Sequence, residues 1–263
     1  MPATTSSCGL TGTDVLRFMD EGYLGPFTLC TPDEMGPIRE AIEREVLTAP
    51  GLSGNPIQSR HLDCRVVYDL CSHPAIVERM ASIFGPDLVL WRSNFFVKEP
   101  GAKEIPWHQD FRYWPLEPAL NISAWIAIDP ATVENSCVQI IPGSHKQIVP
   151  EVKSSAEMAL PTMTDPTVLD TSRKIDMELE PGQFLLFNEK TIHRSEPNRS
   201  DKRRIGLAVR VTIPIVKVYH EQIFERHAVI ILRGEDRMSF NRVTQPPVKI
   251  MGGMIAQPPR AGM

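Results

Sequence analysis

Two histidines and one aspartate have the spacing that a metal site requires. His108 and Asp110 stand two positions apart, and His193 follows 85 positions after His108. In an extended chain, residues i and i+2 point to the same face, so an imidazole nitrogen and a carboxylate oxygen can reach one ion together. A histidine from a distant strand would complete a face of two histidines and one carboxylate, the arrangement that non-haem iron(II) oxygenases use. The pattern therefore predicts a metal site formed by His108, Asp110 and His193.

A second His-x-Asp triplet shows that this spacing has little specificity alone. His61-Leu62-Asp63 lies between a loop rich in glycine and proline and a predicted helix. No downstream residue is better placed to complete a metal site with His61 and Asp63 than with His108 and Asp110. We therefore interpret the triplet at 61–63 as a coincidence, and the pair at 108 and 110 as ligands rather than as residues of a surface strand.

An arginine downstream of His193 is placed to bind an organic acid. Arg204 lies eleven positions after His193 and opens an apolar strand, where a guanidinium suits the far carboxylate of a five-carbon dicarboxylate. Lys202 and Arg203 compete for this role, because any of the three could be a solvated strand end. Arg210 shares the face of Arg204 by strand parity, as a substrate ligand or as a member of an ion pair.

The residues directly after Asp110 predict a substrate-binding wall. Phe111, Arg112 and Trp114 follow it in one aromatic run. We expect these three side chains to contact the substrate, and the charge of Arg112 favours a substrate with a carboxylate or phosphate-like group. The alternative is a loop packed on the rim of the fold.

The elements that must position these residues change in character at residue 88. Upstream, apolar residues recur at helical spacing after a capping box at 31–34, and shorter helices are predicted over Asp14–Met19 and Pro74–Phe84. Downstream, short apolar runs alternate with Pro/Gly turns, which is typical of a sandwich, jelly roll or barrel. The predicted strands are Leu88–Val97, Leu120–Ile128, Cys137–Ile141, Ile175–Leu179, Gln183–Phe187, Ile205–Ile213 and Ile215–Tyr219.

Composition excludes several classes of protein. The 263 residues include 28 Lys and Arg against 32 Asp and Glu, a net charge of −4, which leaves no basic field for nucleic acid. No apolar run reaches the ~18–20 residues of a membrane span. Five cysteines without CxxC spacing predict reduced thiols, and the Ser/Thr-rich start predicts no secretory signal. We expect a cytoplasmic globular protein.

A set of short motifs, taken in order, resembles the phytanoyl-CoA dioxygenase family. The motifs are His108-Gln109-Asp110, Asn121–Trp125, Ile141–Lys146, His193-Arg194-Ser195 and Arg204, with Gly25-Pro26-Phe27, Arg60–Asp63, Trp91–Phe96 and Phe240–Val243. Together they cover most of residues 10–243, and within the family the chain is most similar to the branch of syringomycin-type chlorinating enzymes. The family comprises iron(II)- and 2-oxoglutarate-dependent oxygenases. The resemblance implies a mainly β fold with flanking α-helices, a double-stranded β-helix of the jelly-roll, cupin-like kind.

The resemblance also implies roles for individual residues. It assigns iron(II) to the three candidate ligands, and the cosubstrate 2-oxoglutarate to Arg204, with Trp125, Ser123 and Ser195 beside it. The chlorinating relatives carry a small residue where this chain has Asp110, and chloride takes the vacated position on the iron. Because the carboxylate is retained here, the resemblance implies oxygenation by O2 with release of succinate and CO2. Hydroxylation is expected above all, and desaturation or cyclisation would use the same residues.

The resemblance implies one oxygenase domain over residues 11–243, with N-terminal helices at 11–87 and a jelly-roll core at 88–219. Residues 1–10 are predicted to be flexible, and residues 244–263 to form an extended or mobile tail. A metal-binding jelly-roll module without activity is the alternative, and a zinc hydrolase is disfavoured because no Glu or His is placed as a general base. The expected partner is a small molecule, free or tethered to a carrier protein; the sequence leaves its identity and the oligomeric state open.

Overall fold

The computed structural model describes residues 8–248, a β-rich core with α-helices on one side. The helices are α1 (Gly12–Glu21), α2 (Pro32–Glu45), α3 (Arg65–Cys71) and α4 (Pro74–Phe84). The strands are β1 (Tyr23–Thr28), β2 (Leu88–Lys98), β3 (Ile105–His108), β4 (Leu116–Glu117), β5 (Ile122–Ala127), β6 (Val138–Ile140), β7 (Glu151–Lys153), β8 (Thr162–Thr164), β9 (Ile175–Met177), β10 (Gln183–Asn188), β11 (His193–Ser195), β12 (Arg204–Thr212), β13 (Lys217–Val218) and β14 (Ile230–Arg233). Short 3₁₀ helices lie at Arg60–Leu62, Asp110–Tyr113, Ser144–Lys146 and His220–Gln222.

Two antiparallel sheets form the core. The large sheet has the strand order β1-β10-β5-β12-β2-β14, and the small sheet has the order β3-β11-β6-β9. Buried side chains of the large sheet, including Trp125, Leu185 and Ala208, form one apolar cluster with Val138 and Ile140 of the small sheet. The two sheets therefore face each other, as in a jelly roll, and we call the side of the large sheet that meets the small sheet its inner face.

The large sheet is covered on its other side by the helices. Alternate residues of a strand point to opposite faces, so Ala124 and Ile126 of β5 pack in one cluster with Met35 of α2 and Met80 of α4, whereas Trp125 points inward. All six residues of β5 are buried for this reason. The inner residues of β5 and β12 are thus supported from behind by a full apolar layer.

Three of the described helices form where the sequence predicts them, whereas α3 (Arg65–Cys71) was not predicted. α2 begins with a capping box, in which the Glu34 amide donates to Thr31 Oγ1 at 3.3 Å and the Thr31 amide donates to Glu34 Oε2 at 2.8 Å. α4 has the predicted bounds, and α1 is a few residues longer than predicted and ends at Gly22, whose φ of 77° suits glycine. Among residues 8–248, no helix is both long and apolar enough to cross a bilayer.

Strand β1 was not predicted, because its sequence contains Gly25-Pro26, a pair that usually marks a turn. The strand lies at the edge of the large sheet, and its register with β10 shifts between Leu24 and Phe27. Proline is tolerated at such an irregular edge position, where its missing N–H costs no ladder hydrogen bond. The short strands β3 and β11 were missed because three or four residues give too little alternation to recognise.

The predicted domain bounds stay predictions. Strand β1 comes from the region predicted to be helical, and β14 follows the predicted end of the core at residue 219, yet both join edges of the large sheet. Residues 1–7, most of the predicted flexible start, and residues 249–263, most of the predicted tail, lie outside the described residues.

Candidate metal centre

The backbone between His108 and Asp110 presents both side chains to the same side. His108 ends β3, Asp110 begins a 3₁₀ helix, and Gln109 between them is extended, with φ of −114° and ψ of 120°. The Gln109 side chain points the other way, where its amide donates to the carbonyls of Gln147 at 2.8 Å and Lys190 at 2.7 Å. Its Oε1 accepts from the amide of a third residue, at position 149, so this buried glutamine holds the turn in place.

His193 reaches the same point from the neighbouring strand. It is the register partner of His108 in the antiparallel pair β3–β11, and the two ring centroids are 4.2 Å apart. Asp110 Oδ1 lies 3.5 Å from His108 Nε2, and Asp110 Oδ2 lies 3.9 Å from His193 Nε2. Among residues 8–248, these three side chains form the one group of potential metal ligands whose ligand atoms all lie within 4.8 Å of one another.

Hydrogen bonds to the outer ring nitrogens fix which nitrogen of each histidine is free. His108 Nδ1 lies 2.8 Å from the Pro106 carbonyl, and His193 Nδ1 lies 2.9 Å from the Thr191 carbonyl. A carbonyl only accepts, so each Nδ1 carries the proton and each Nε2 directs a lone pair toward Asp110. Orientation of a ligating histidine by a backbone carbonyl is the usual outer support of a metal centre.

The protonation states also suit a cation. Burial alone would raise the pKa of Asp110, but the adjacent His108 and the positive charge of Arg210 hold that pKa well below its usual range. Burial, helped by His108, lowers the pKa of His193 to about 4. The carboxylate is therefore ionised and the His193 imidazole neutral at neutral pH, as metal binding requires.

The cluster opens on a cavity between the two sheets, which we call the inner cavity. Its empty space is about 450 Å³ including the open mouth. The cavity is lined by Phe96, Ile105, His108, Asp110, Trp125, Val138, Phe187, His193, Arg194, Ser195, Arg204, Ala208 and Arg210.

Arg204 is a buried cation without an acidic partner. Its side chain is 1% exposed, Nη1 donates to the Ser136 carbonyl, and Nε has no hydrogen-bond partner. Among residues 8–248, no carboxylate lies within ion-pair distance of it. Burial lowers the pKa of its guanidinium to about 10. The Ser195 hydroxyl, on the same cavity wall, is also buried and unpartnered. An uncompensated buried cation beside a free hydroxyl is a site for an anion.

Trp125 supports this arginine. The Arg204 guanidinium carbon lies 5.1 Å from the centroid of the Trp125 ring. The ring crosses β12 at Gly206, where an added Cβ would meet the indole at 2.0 Å. A glycine inside a strand is explained here by the close approach of the indole, and it allows Trp125 to form the cavity wall.

Lys98 adds positive charge beside Arg204, and sequence reasoning missed it. It is the register partner of Arg204 in β2, 3% exposed, and its ammonium donates to the carbonyls of Lys103, Ser195 and Glu196 at 2.8, 3.1 and 2.6 Å. Burial, followed by the charge of Arg204, lowers the pKa of Lys98 to about 7. No local sequence signal distinguishes this lysine from one at a solvated strand end.

Other predicted site residues lie outside the inner cavity. Ser123 is fully buried and its hydroxyl accepts from Asn121 Nδ2 at 3.1 Å. Arg112 is exposed; it donates to the Val149 carbonyl at 2.6 Å and lies 3.7 Å from a carboxylate oxygen of Glu151. The structure brings neither of them to the cavity wall, and their predicted roles remain untested.

The two aromatic residues of the predicted substrate wall differ from each other. Phe111 is half-buried, and the guanidinium carbon of Arg112 lies 5.3 Å from the centroid of the Phe111 ring. Trp114 is buried against Trp91, and its ring centroid lies 5.0 Å from the guanidinium carbon of Arg210. Trp114 therefore contacts a residue of the cavity wall without lining the cavity.

The missed cavity residues are mostly apolar. They are Phe96, Ile105, Val138, Phe187, Arg194 and Ala208. Apolar residues that line a cavity follow the same alternation as residues of a closed core, so the sequence gives no signal that separates them.

Comparison with known proteins agrees with the geometry. The family model described as phytanoyl-CoA dioxygenase (PhyH) matches residues 18–206, more than half of the chain. The chain belongs to the phytanoyl-CoA dioxygenase family. This confirms the family predicted from the sequence.

Individual members of the phytanoyl-CoA dioxygenase family and solved structures resemble the chain as follows. Dioxygenase lolE1 of Epichloe uncinata is 35% identical over 139 residues, 53% of this chain and 52% of that protein. A probable phytanoyl-CoA dioxygenase of Caenorhabditis elegans is 29% identical over 160 residues, 56% of this chain and 50% of that protein. The matched regions thus span about half the length of these relatives. The solved structure of CytC3 with Fe(II) and alpha-ketoglutarate has a TM-score of 0.73 at 26% identity, over 91% of this chain and 94% of that one, which confirms the jelly-roll fold.

Proposed function

We propose that this chain is an iron(II)- and 2-oxoglutarate-dependent dioxygenase that hydroxylates a C–H bond of a small molecule, with release of succinate and CO2. The observation that carries the proposal is the buried, unneutralised Arg204 on the same cavity as the His108–Asp110–His193 cluster. A metal-binding module needs the cluster but has no use for a second, anion-binding group beside it.

The donor set fits the proposed metal. Two imidazole nitrogens and one carboxylate oxygen on one face suit iron(II) and leave the positions toward the cavity open. When bound there, iron(II) and 2-oxoglutarate together supply an oxidant made from O2 that is strong enough to hydroxylate a C–H bond. Asp110 would fill the metal position that the resemblance assigns to chloride in the chlorinating relatives, so we propose oxygenation rather than chlorination.

The remaining cavity residues have proposed roles of their own. Arg204 would pair with the far carboxylate of 2-oxoglutarate, with the Ser195 hydroxyl as a second donor. Trp125 would hold the Arg204 guanidinium and wall the pocket, and Phe187 and Ala208 would keep water from the reacting groups. Ser123 would act on the pocket only through its neighbours, since its hydroxyl is bonded to Asn121.

A zinc hydrolase is a weaker proposal. Such an enzyme needs a general base beside a metal-bound water. Among the described residues that line the inner cavity, Asp110 is the only carboxylate, and it belongs to the proposed ligand set. No other acid or histidine remains to serve as the base.

We further propose a cytoplasmic enzyme with a small, anionic substrate, free or tethered to a carrier. The five cysteines are all free, in keeping with a reducing compartment. Phe111 and Trp114 remain proposed contacts near the mouth. The net charge of −4 gives no support for nucleic acid as a partner.

The proposal is tested by anaerobic titration of 2-oxoglutarate into protein loaded with iron(II). We expect a visible metal-to-ligand charge-transfer band, and Arg204→Ala should need roughly 10–100-fold more 2-oxoglutarate to develop it, since a charge-assisted hydrogen bond is worth ~1.5–3 kcal/mol. Iron content should change little.

Arg203→Ala is the matched control. Arg203 pairs with Glu43 and with Asp129, 3.2 Å away, so it is already neutralised and lies off the inner cavity. Absence of the band in iron-loaded wild-type protein would contradict the enzyme. A loss in Arg203→Ala equal to that in Arg204→Ala would contradict the choice of anchor.

A further inference from the structure

A second pair of arginines lies at the other side of the metal-ligand cluster. Arg210 of β12 lines the inner cavity and is 6% exposed, and Arg92 of β2 is its register partner and half-buried. Both donate to one acceptor, Asn94 Oδ1, at 3.2 Å from Arg210 Nη1 and at 2.9 Å from Arg92 Nε. Two guanidinium groups therefore converge on a single neutral amide oxygen.

Within the described part of the chain, residues 8–248, neither of these two cations has an acidic partner of its own. The nearest carboxylate to Arg210 is Asp110, with Oδ2 at 3.9 Å from Nη2, and that carboxylate belongs to the proposed ligand set. Among residues 8–248, Arg92 forms no ion pair, and the buried Nε of Arg210 has no hydrogen-bond partner. Burial lowers the pKa of Arg92 to about 10, and the charge of Arg210 contributes.

Arg194, which also lines the inner cavity, is an arginine whose charge is neutralised by carboxylates. Arg194 donates from Nε to Gln139 Oε1 at 2.6 Å and pairs with Glu104 at 3.4 Å and with Glu196. Its donors are occupied, so it has no remaining demand for an anion. The contrast identifies Arg210, and Arg92 behind it, as the uncompensated pair.

Aromatic rings hold the Arg210 guanidinium in place. Its central carbon lies 5.0 Å from the Trp114 ring centroid and 6.0 Å from that of Phe96. A guanidinium held between ring faces keeps its donors fixed for bidentate capture of an oxyanion.

We propose that Arg210, Arg92 and Asn94 form a subsite that binds an oxyanion group of the substrate, a carboxylate, phosphate or phosphonate. The inference rests on the proposed function, which pairs Asp110 with the metal and Arg204 with 2-oxoglutarate and assigns no anion to Arg210 and Arg92. Because Arg210 adjoins Asp110, a substrate held there presents the carbons next to its oxyanion group to the metal-ligand cluster. The sequence-predicted anion ligand, Arg112, is replaced in this role because Glu151 already neutralises it.

The test uses protein loaded with nickel(II), which does not turn over, and saturated with 2-oxoglutarate, so that Arg204 and the cosubstrate positions are filled. Propionate, its neutral isostere propionamide, and methylphosphonate are then titrated by calorimetry. We expect propionate or methylphosphonate to bind at least about tenfold more tightly than propionamide, as a charge-assisted bidentate contact requires. The preferred anion identifies the kind of oxyanion.

Three substitutions locate the binding. Arg210→Gln and Arg92→Gln should each weaken anion binding by about tenfold or more, while both variants still bind nickel(II) and 2-oxoglutarate. Arg112→Gln should leave the anion affinity at the wild-type value. Arg92 is half-buried, so its variant keeps the test valid if Arg210→Gln does not fold, which thermal unfolding reports.

Each result has one meaning. Equal affinity for propionate and propionamide, anion binding that survives both substitutions, or a loss confined to Arg112→Gln would overturn the subsite. A loss of nickel(II) binding alone in Arg210→Gln would mean that this arginine only orients Asp110, and would also overturn it. Failure of the wild-type protein to bind nickel(II) and 2-oxoglutarate would instead contradict the proposed function.

Discussion

Two segments of this chain have the same His-x-Asp spacing, and only one of them forms a ligand cluster. His108 and Asp110 point to one side because Gln109 between them is extended. His61 lies within the 3₁₀ helix Arg60–Leu62. With about three residues per turn, positions i and i+2 there point in different directions, so the same spacing does not bring the side chains together.

The partners of the two aspartates differ as much as their backbones. Asp63 accepts from Arg60 Nε at 2.8 Å and from the Leu52 amide at 2.6 Å, so its carboxylate is already used to hold a loop. Asp110 faces two imidazoles and the unmatched Arg210. A carboxylate is available to a cation only when the fold has not already paired it, and spacing along the chain does not report this.

The largest effect is expected from Asp110→Ala, and Asp63→Ala is the variant to compare with it. Asp110→Ala should lower iron binding and succinate formation by at least about a hundredfold, because loss of a direct ligand exceeds the 10–100-fold cost of losing its supports. Asp63→Ala should keep iron and activity but lose about 2–3 kcal/mol of unfolding free energy, since buried Arg60 loses its anion. Iron content, succinate and urea unfolding measure these quantities. Succinate formation that persists in Asp110→Ala would contradict the difference proposed between Asp110 and Asp63.

A smaller effect is expected from the residue between the two ligands. Gln109→Ala removes three hydrogen bonds to the backbone around the turn and should weaken iron binding by about tenfold, as loss of an outer support does. Equilibrium dialysis with iron(II) under anaerobic conditions measures it. Gln183→Ala, which removes one local bond to the Glu180 amide, is the control and should bind iron as the wild type does. Equal affinities in both variants would show that the extended turn needs no support.

The smallest effect at neutral pH is expected at His61, where the change appears in the pH dependence of stability. Burial, with a contribution from His227, lowers the pKa of His61 to about 3, and a histidine in the unfolded chain titrates near ~6.5. Between these values only the unfolded chain binds the proton, so the contribution of His61 to stability is complete above about pH 6.5 and is lost as the pH falls toward 3.

His61→Gln should make the loss of unfolding free energy on acidification shallower by up to about 1.4 kcal/mol per pH unit, with iron binding unchanged at neutral pH. Urea unfolding between pH 4 and 7 measures the slope. His73→Gln, at a partly buried helix cap, should change the slope less. An unchanged slope in His61→Gln would show that this histidine is not held neutral.

Much of the fold and of the cluster could be predicted from short-range patterns. The capping box of α2 and the apolar period of α4 define helices locally, and the continuous apolar runs of β5 and β12 indicate strands that are buried on both faces. Strand β1 could not be predicted in this way, because the edge position that tolerates Pro26 is a property of the assembled sheet.

Residues near the cluster were harder to assign. Ser123 and Ser195 are equivalent in sequence terms, yet one hydroxyl is bonded to Asn121 and the other is left free on the cavity wall. Arg112 and Arg210 were both candidates for an anion, and they differ in whether a carboxylate from elsewhere in the chain neutralises them. The carboxylate that neutralises Arg112 belongs to Glu151, 39 positions away (151 − 112), and no local pattern contains such a partner.

The sequence by itself determined the identities and order of the ligand-type residues, the capping of the helices and the alternation that makes a jelly roll. Only the tertiary structure decided that His193 lies directly opposite His108, because the register between β3 and β11 is set by packing of whole sheets. It also decided which cations remain unpaired. Charge neutralisation acts over a few ångströms in space, and residues distant in the sequence meet at that range only after the chain has folded.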